Sequence, residues 1–269
     1  MASASTEQGG NSDSRLERWH KGWDSGRYSV PGQGFHQAEP NPLLTKYLPY
    51  MKLTPKDDIL KQERVLVPLC GKSVDMIYFA NQKISALGLE AIPRAVFEFS
   101  EEINSPKDNA SRLHEKAEHN WNIKDAGIVS IVQGDALDFK IDEKGPVDAI
   151  WDRAALVALR PEDRGAYVSM LHDSIKEGGR VLLVVVEHDM VMPLIGSSSP
   201  SIPNEQELIP YGPPYSIPTE TVKSLYTNNG FNFLEEIYRE DKIENEPRWK
   251  GKGATKFESV CYILEKGKS

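Results

Sequence analysis

Only two cysteines, Cys70 and Cys261, occur in 269 residues, and they stand far apart in the chain. So few rule out the disulfide framework of a small secreted domain, and a reducing cytoplasm is the expected setting. No stretch approaches the roughly 18 apolar residues of a membrane span. The opening MASASTEQGGNSDS has no apolar run of the signal-peptide kind and reads as a disordered tail over residues 1–14. An excess of basic charge is missing as well. The net charge of −8 argues against nucleic acid, which calls for a clustered basic face, and against an anionic membrane surface. The expected partner is a small molecule, and the expected state a monomer. Hydrophobic residues make up 39% of the chain, enough to bury a sizeable core, so global disorder is excluded.

Apolar segments of two kinds alternate along the chain. Continuous runs at 64–68, 86–90, 128–132, 147–151 and 181–186 read as strands buried on both faces. Helical patterns follow at 74–79, toward residue 104, at 161–175 and at 219–229, and two strands at 231–238 and 257–264 close the sequence. Alternation of this type predicts an α/β fold with a mainly parallel sheet and an antiparallel pair at its C-terminal edge. One domain over 15–269 is expected, with a helical cover at 15–50. The polar stretch 105–125 reads as loop or insertion, and 190–218 as a long surface connection.

The informative unit is LVPLCGKSVDMIYFA at 66–80, a buried strand that turns through Leu69-Cys70-Gly71 into a helix. Gly71 lets the backbone come close to a ligand. Nineteen residues further on, at the end of the next strand, stands Glu90. An acid at about that distance is placed to accept hydrogen bonds from a ribose diol. A turn glycine and a solvated strand-end acid would explain each residue singly, but the pair on this framework points to an adenosine-type ligand. Other motifs fail. Gly71-Lys72-Ser73 mimics the end of a phosphate loop, yet Leu66 stands where its first glycine belongs. His114 and His119 are five apart, so on a helix they diverge, and no metal site is expected. G-x-G-x-x-G is missing, which counts against a dinucleotide; S-adenosylmethionine has no phosphate to cradle.

At these residues the chain resembles the thiopurine S-methyltransferase family, within the Rossmann-like class I methyltransferases. The resemblance rests on PLCGKSVDM at 68–76, Gly88-Leu89-Glu90 and IWDRAALVAL at 150–159, which are specific. Weaker matches are Trp19, Trp23, Phe35-His36-Gln37 and Gly212-Pro213-Pro214-Tyr215. It implies an enzyme that moves a methyl group from S-adenosylmethionine to a small thiol. Leu69, Gly71 and Glu90 would line the cofactor, and Trp19, Trp23 and Phe35 would close over cofactor and acceptor. Asp135-Ala136 would lie at the adenine, where many methyltransferases place an acid. Arg153 would face both cofactor and acceptor as the catalytic group, with a structural Asp152–Arg153 ion pair as the plain alternative. Arg248 would be a second cationic contact to the acceptor. Residues 190–209 and 107–124 depart from the family pattern, which leaves open an amine, halide or metalloid acceptor. A catalytically silent ligand-binding protein is the alternative from another class.

The sulfonium methyl is already activated, so alignment and exclusion of water can supply much of the acceleration. An acidic thiol is partly thiolate at neutral pH. The site is accordingly expected to work without a catalytic His or Cys, and Cys70 is read as a small strand-end residue.

Overall fold

The computed structural model describes residues 12–30, 35–103, 110–115, 118–123, 126–141, 145–193 and 208–268. Helix α1 (Ser12–Asp24) begins within the stretch expected as a tail, whose residues 1–11 lie outside the described ones. Helix α2 (Pro42–Tyr47) follows, its first turn capped by the Asn41 side chain. Then the alternation begins: β1 (Arg64–Pro68), α3 (Val74–Asn81), β2 (Ser85–Glu90) and α4 (Pro93–Ile103). A hairpin, β3 (Ala110–Glu115) and β4 (Glu118–Ile123), leads to β5 (Ile128–Gln133) and β6 (Val147–Arg153). Helix α5 (Arg164–Ser174) runs into β7 (Ile175–His188), and a two-stranded ribbon of β8 (Val191–Pro193) and β9 (Leu208–Pro210) comes next. The chain ends with α6 (Thr219–Thr227), β10 (Phe231–Asp241), α7 (Pro247–Lys250) and β11 (Phe257–Lys266).

Nine strands form one sheet in the order β10-β11-β7-β6-β1-β2-β5-β4-β3. The five central strands are parallel, and an antiparallel pair flanks them on each side. This is the expected α/β architecture, with the C-terminal antiparallel pair in place. The second pair corrects the sequence reading of 105–125. What looked like polar loop holds the β3–β4 hairpin, with β4 laid against β5. The signal was a short alternation: Trp121 and Ile123 are buried, while Asn120 between β4 neighbours takes a 2.5 Å hydrogen bond from Ser130 across the strands. Polar residues on the other face hid it. His114 and His119 become cross-strand partners in that hairpin instead of helical neighbours. Of the 190–218 connection, residues 194–207 lie outside the described ones.

The apolar strands read as continuous runs because both faces of the sheet are covered. In β1, Leu66 joins one cluster with Leu87, Ile150, Leu183 and Tyr167, while Val65 and Val67 join another with Ala149, Trp151 and Phe79. The same alternation separates Asp152 from Arg153. Asp152 is fully buried and accepts hydrogen bonds from the Tyr167 hydroxyl at 2.8 Å and from the Leu156 N–H at 3.2 Å. Arg153, next in the strand, points to the other face. No ion pair joins them, so the alternative reading of that pair falls.

Burial lifts the Asp152 pKa to about 6, against the opposing hydrogen bonds from Tyr167 and the Leu156 and Ala155 N–H groups. The folded state therefore holds a proton that the unfolded chain has already lost between about pH 4 and 6. Asp152 thus removes stability as pH rises through that window, by roughly 3 kcal/mol at most. The variant Asp152→Asn cannot titrate. Its melting temperature should gain on that of the wild type between pH 4.5 and 7.5; a difference that stays constant with pH contradicts the assignment.

Candidate active site

Strand order reverses between β1 and β6. The chain builds β1, β2 and β5 in one direction, then returns to lay β6 and β7 on the other side. Ligands of open α/β sheets bind outside the carboxyl ends of the strands at such a point. A cavity of about 250 Å³ lies there, lined by Pro68 and Leu69 after β1, Glu90 and Ile92 after β2, and Trp151 and Arg153 at the end of β6. Asp135 and Ala136, beyond β5, complete its floor, and α1 roofs it with Arg15, Trp19 and Trp23.

The turn after β1 is strained. Leu69 adopts φ +47° and Gly71 φ +54°, and Ala154, just past Arg153, adopts φ +67°. Left-handed Leu and Ala cost about 1–2 kcal/mol each, and both border the cavity. Glu90 holds the turn. One carboxylate oxygen accepts the Gly71 N–H at 2.8 Å and the other accepts the Ile92 N–H at 2.8 Å. The side chain is buried, which raises its pKa against the pull of the Ile92, Gly71 and Ala91 N–H groups. Acceptor capacity remains on the carboxylate, which fits the hydroxyls of a ribose. Gly71 itself does not border the cavity. A Cβ there would stand 3.2 Å from the Trp23 ring and 3.7 Å from the Phe35 ring. The close approach that needs glycine is to the aromatic cover.

That cover is a cluster of Trp19, Trp23, Tyr28 and Phe35 packed on Ile92 and Ala95 of the α4 start. Ring centroids lie 5.0 Å apart for Tyr28 and Phe35 and 6.1 Å for Trp23 and Phe35. Two arginines tie α1 across the cavity. Arg15 hydrogen-bonds the Asp135 carboxylate and stands 3.7 Å from Asp163, while Arg18 donates to the Gly212 carbonyl at 3.1 Å. Lys72, the residue that mimicked a phosphate-loop lysine, is buried and donates to the Ser29 carbonyl at 2.7 Å and to Glu102 at 2.5 Å. Its cation pins the chain just after α1. Sequence reading missed Arg15, Arg18, Tyr28 and Lys72. A signal for Arg15 was present, since Arg15, Trp19 and Trp23 repeat every four residues and so share one face of a helix.

On the acceptor side, Arg153 donates to the Phe35 carbonyl, and burial lowers its pKa while nearby Asp75 opposes this. Asp75 is itself engaged by the Trp151 indole at 2.8 Å and the Asn41 N–H at 2.7 Å. Cys70 borders the cavity, but burial first and the Glu90 charge second push its thiol pKa far up, so it stays protonated. Arg248 is not among the lining residues. It is exposed on α7, a single turn that Trp249 anchors against His188, Tyr211 and Phe257. A buried histidine, His36 of the Phe35-His36-Gln37 match, also borders the cavity. Among the described residues no group of three or more His, Cys, Asp or Glu is arranged to hold a metal, and no helix is long and apolar enough to cross a membrane.

A model of the thiopurine S-methyltransferase family matches residues 14–267. The chain belongs to this family. A thiopurine S-methyltransferase of Photobacterium profundum is 33% identical over 250 residues, 93% of this chain and 98% of that protein. One of Nitrosospira multiformis is also 33% identical over 250 residues, 93% and 95% of the two chains. Among solved structures, the 1,6-didemethyltoxoflavin-N1-methyltransferase of Burkholderia thailandensis, with bound S-adenosylhomocysteine, superposes with a TM-score of 0.59 at 14% identity. That match covers 99% of this chain and 94% of the other. The [4+2]-cyclase SpnF reaches 0.56 at 12% identity, over 100% and 98% of the chains. These likenesses show the fold, and the cyclase shows that the fold alone does not fix the reaction. Membership of the thiopurine S-methyltransferase family does more: the chain is an S-adenosylmethionine-dependent methyltransferase.

Helix α1 roofs the cavity, and the Arg15 contact with Asp135 on the facing rim is the latch that holds it there. Replacing Arg15 by Gln removes a half-buried ion pair. Hydrogen exchange across α1 should rise several-fold in the free protein and fall again when S-adenosylhomocysteine binds; exchange identical to wild type contradicts the latch. Gly71→Val should push Trp23 and Phe35 aside and weaken cofactor binding by at least tenfold in a titration, whereas normal affinity contradicts the packing argument.

Proposed function

We propose that the chain methylates the sulfur of a small, flat or aromatic thiol, with Glu90 on the cofactor ribose and Arg153 on the acceptor. The observation that carries this reading is the state of Arg153. Its guanidinium sits half-buried beside the cavity, donates to a neutral carbonyl, and has no ion-pair partner among the described residues. A fixed cation in that position calls for an anion, and a thiolate or an acceptor carboxylate supplies one. When bound, S-adenosylmethionine supplies an activated methyl carbon, so for a thiol that arrives ionised this chain's residues need only bind, orient and dry the reactants.

The remaining roles follow from placement. Leu69 and Ala136 give apolar contact on either side of the adenosine, with Asp135 toward the adenine amino group. Opening of α1 exchanges the Arg15 contact of Asp135 for that amino group. Trp19, Trp23 and Phe35 close over the sulfonium, whose charge suits aromatic faces. Arg248 would act on the acceptor only if α7 moved. The partner is a small molecule, and we read the enzyme as a cytoplasmic monomer with neither a nucleic-acid nor a membrane partner, in keeping with its net charge of −8.

A panel of aryl thiols, amines, halides and metalloid acceptors, assayed with wild type and Arg153→Ala, tests the proposal. For thiols already ionised in solution, kcat/KM should drop about 10- to 100-fold, the loss of one charged hydrogen bond of about 1.5–3 kcal/mol. Arg153→Lys should recover part of it, since a point charge replaces a planar fork. Faster turnover of amines than of every thiol, or indifference of ionised thiols to Arg153→Ala, contradicts the reading.

A further inference from the structure

Of the histidines whose side chains are described, His36 is the one that borders the cavity. It is 5% exposed, and its ring nitrogens are not among the sealed side-chain atoms left without a partner. The imidazole is therefore open to the cavity, where a bound molecule can meet it. The backbone around it is fixed at three points. Arg153 donates to the Phe35 carbonyl, the Asn41 amide donates to Gln37 Oε1 at 3.1 Å, and the Asn41 N–H donates to Asp75 at 2.7 Å. The first of these ties Arg153 to the residue just before His36, and the imidazole lies within electrostatic reach of that guanidinium.

Its electrostatic surroundings are mixed. Lys72 at the start of α3 and Arg153 at the end of β6 face it with positive charge, and Glu98 and Glu102 of α4 face it with negative charge. Burial is the largest influence and lowers the imidazole pKa, with Lys72 and Arg153 acting the same way and Glu102 and Glu98 opposing. At neutral pH the ring is uncharged and one nitrogen can accept a proton.

Building on the S-methylation reading above, we infer that His36 is a catalytic residue, the general base that takes the proton from acceptor thiols that are not ionised in solution. The S–H bond breaks, the proton passes to the free imidazole nitrogen, and the bonding pair stays on sulfur beside Arg153. The thiolate uses that pair to form the new S–C bond, while the electrons of the broken C–S bond remain on the departing sulfur as a neutral thioether. The imidazolium then returns its proton to water. Two cations nearby disfavour the imidazolium in the empty site. A thiolate placed between them offsets that repulsion, so proton transfer is coupled to acceptor binding. An acidic thiol arrives ionised and does not need His36. The enzyme's range of acceptors therefore reaches to weakly acidic thiols only through this residue.

The test uses the full-length protein with S-adenosylhomocysteine bound and two readouts. Nitrogen NMR of the His36 ring, assigned by comparison with His36→Gln, follows its protonation as a weakly acidic aryl thiol is added at pH 7. The ring should change from neutral to imidazolium together with the appearance of thiolate absorbance. A ring that stays neutral while thiolate forms overturns the proposal. In turnover, His36→Gln should lower kcat/KM about 100-fold for weakly acidic thiols and less than about threefold for strongly acidic ones, with the affinity for S-adenosylhomocysteine unchanged. Equal loss for every thiol, or none, overturns the role of His36 while leaving S-methylation standing. Failure of the wild type to methylate any thiol overturns both.

Discussion

One buried carboxylate organises the site. Glu90 ends β2 and reaches back to the turn after β1, accepting the Gly71 N–H, while its other oxygen accepts the Ile92 N–H at the approach to α4. Burying a charge there is costly unless its oxygens are matched, and these amides match part of their capacity. The strained Leu69 and the left-handed Gly71 persist because this carboxylate and the Cys70–Leu89 backbone hydrogen bond fix the turn. Removing the acid would leave two buried N–H groups without partners.

The second organising element is the roof. Helix α1 presents Arg15, Trp19 and Trp23 on one face, and each meets a different part of the cavity rim. Aromatic packing on Ile92 and Ala95 holds its C-terminal half, and the Arg15 and Arg18 contacts hold its N-terminal half. The same helix therefore meets the site twice: Trp23 packs close to the turn at Gly71, and Arg15 pairs with the Asp135 carboxylate. Lys72 joins the two halves of this device, since it sits in the glycine turn and pins the Ser29 carbonyl beyond α1.

Much of this was legible in the sequence for physical reasons. Strands buried on both faces cannot hide, because covering both sides demands the apolar runs seen at 64–68 and 181–186. The link between Gly71 and Glu90 was legible because the length of one strand–helix–strand unit sets their spacing. The β3–β4 hairpin was not, since only Trp121 and Ile123 mark its inner face and its pairing is antiparallel to the rest. Contacts between distant segments were also hidden. Nothing local says that Arg15 meets Asp135, 120 residues away, or that Phe35 offers its carbonyl to Arg153. His36 was read only as part of the Phe35-His36-Gln37 match, because a lone histidine beside a phenylalanine carries no spacing signal of its own. Arg248 was drawn from family pattern alone, and α7 turns it to solvent.

The central claim is that the Glu90 carboxylate both ties the turn and receives the ribose. Titration calorimetry of Glu90→Gln with S-adenosylhomocysteine, read beside its thermal unfolding, tests it most directly. The amide keeps the shape of the side chain and one acceptor oxygen, so unfolding should stay cooperative. Affinity should fall about 10- to 100-fold, the loss expected for a charged hydrogen bond. A folded variant that binds as tightly as wild type would contradict the account.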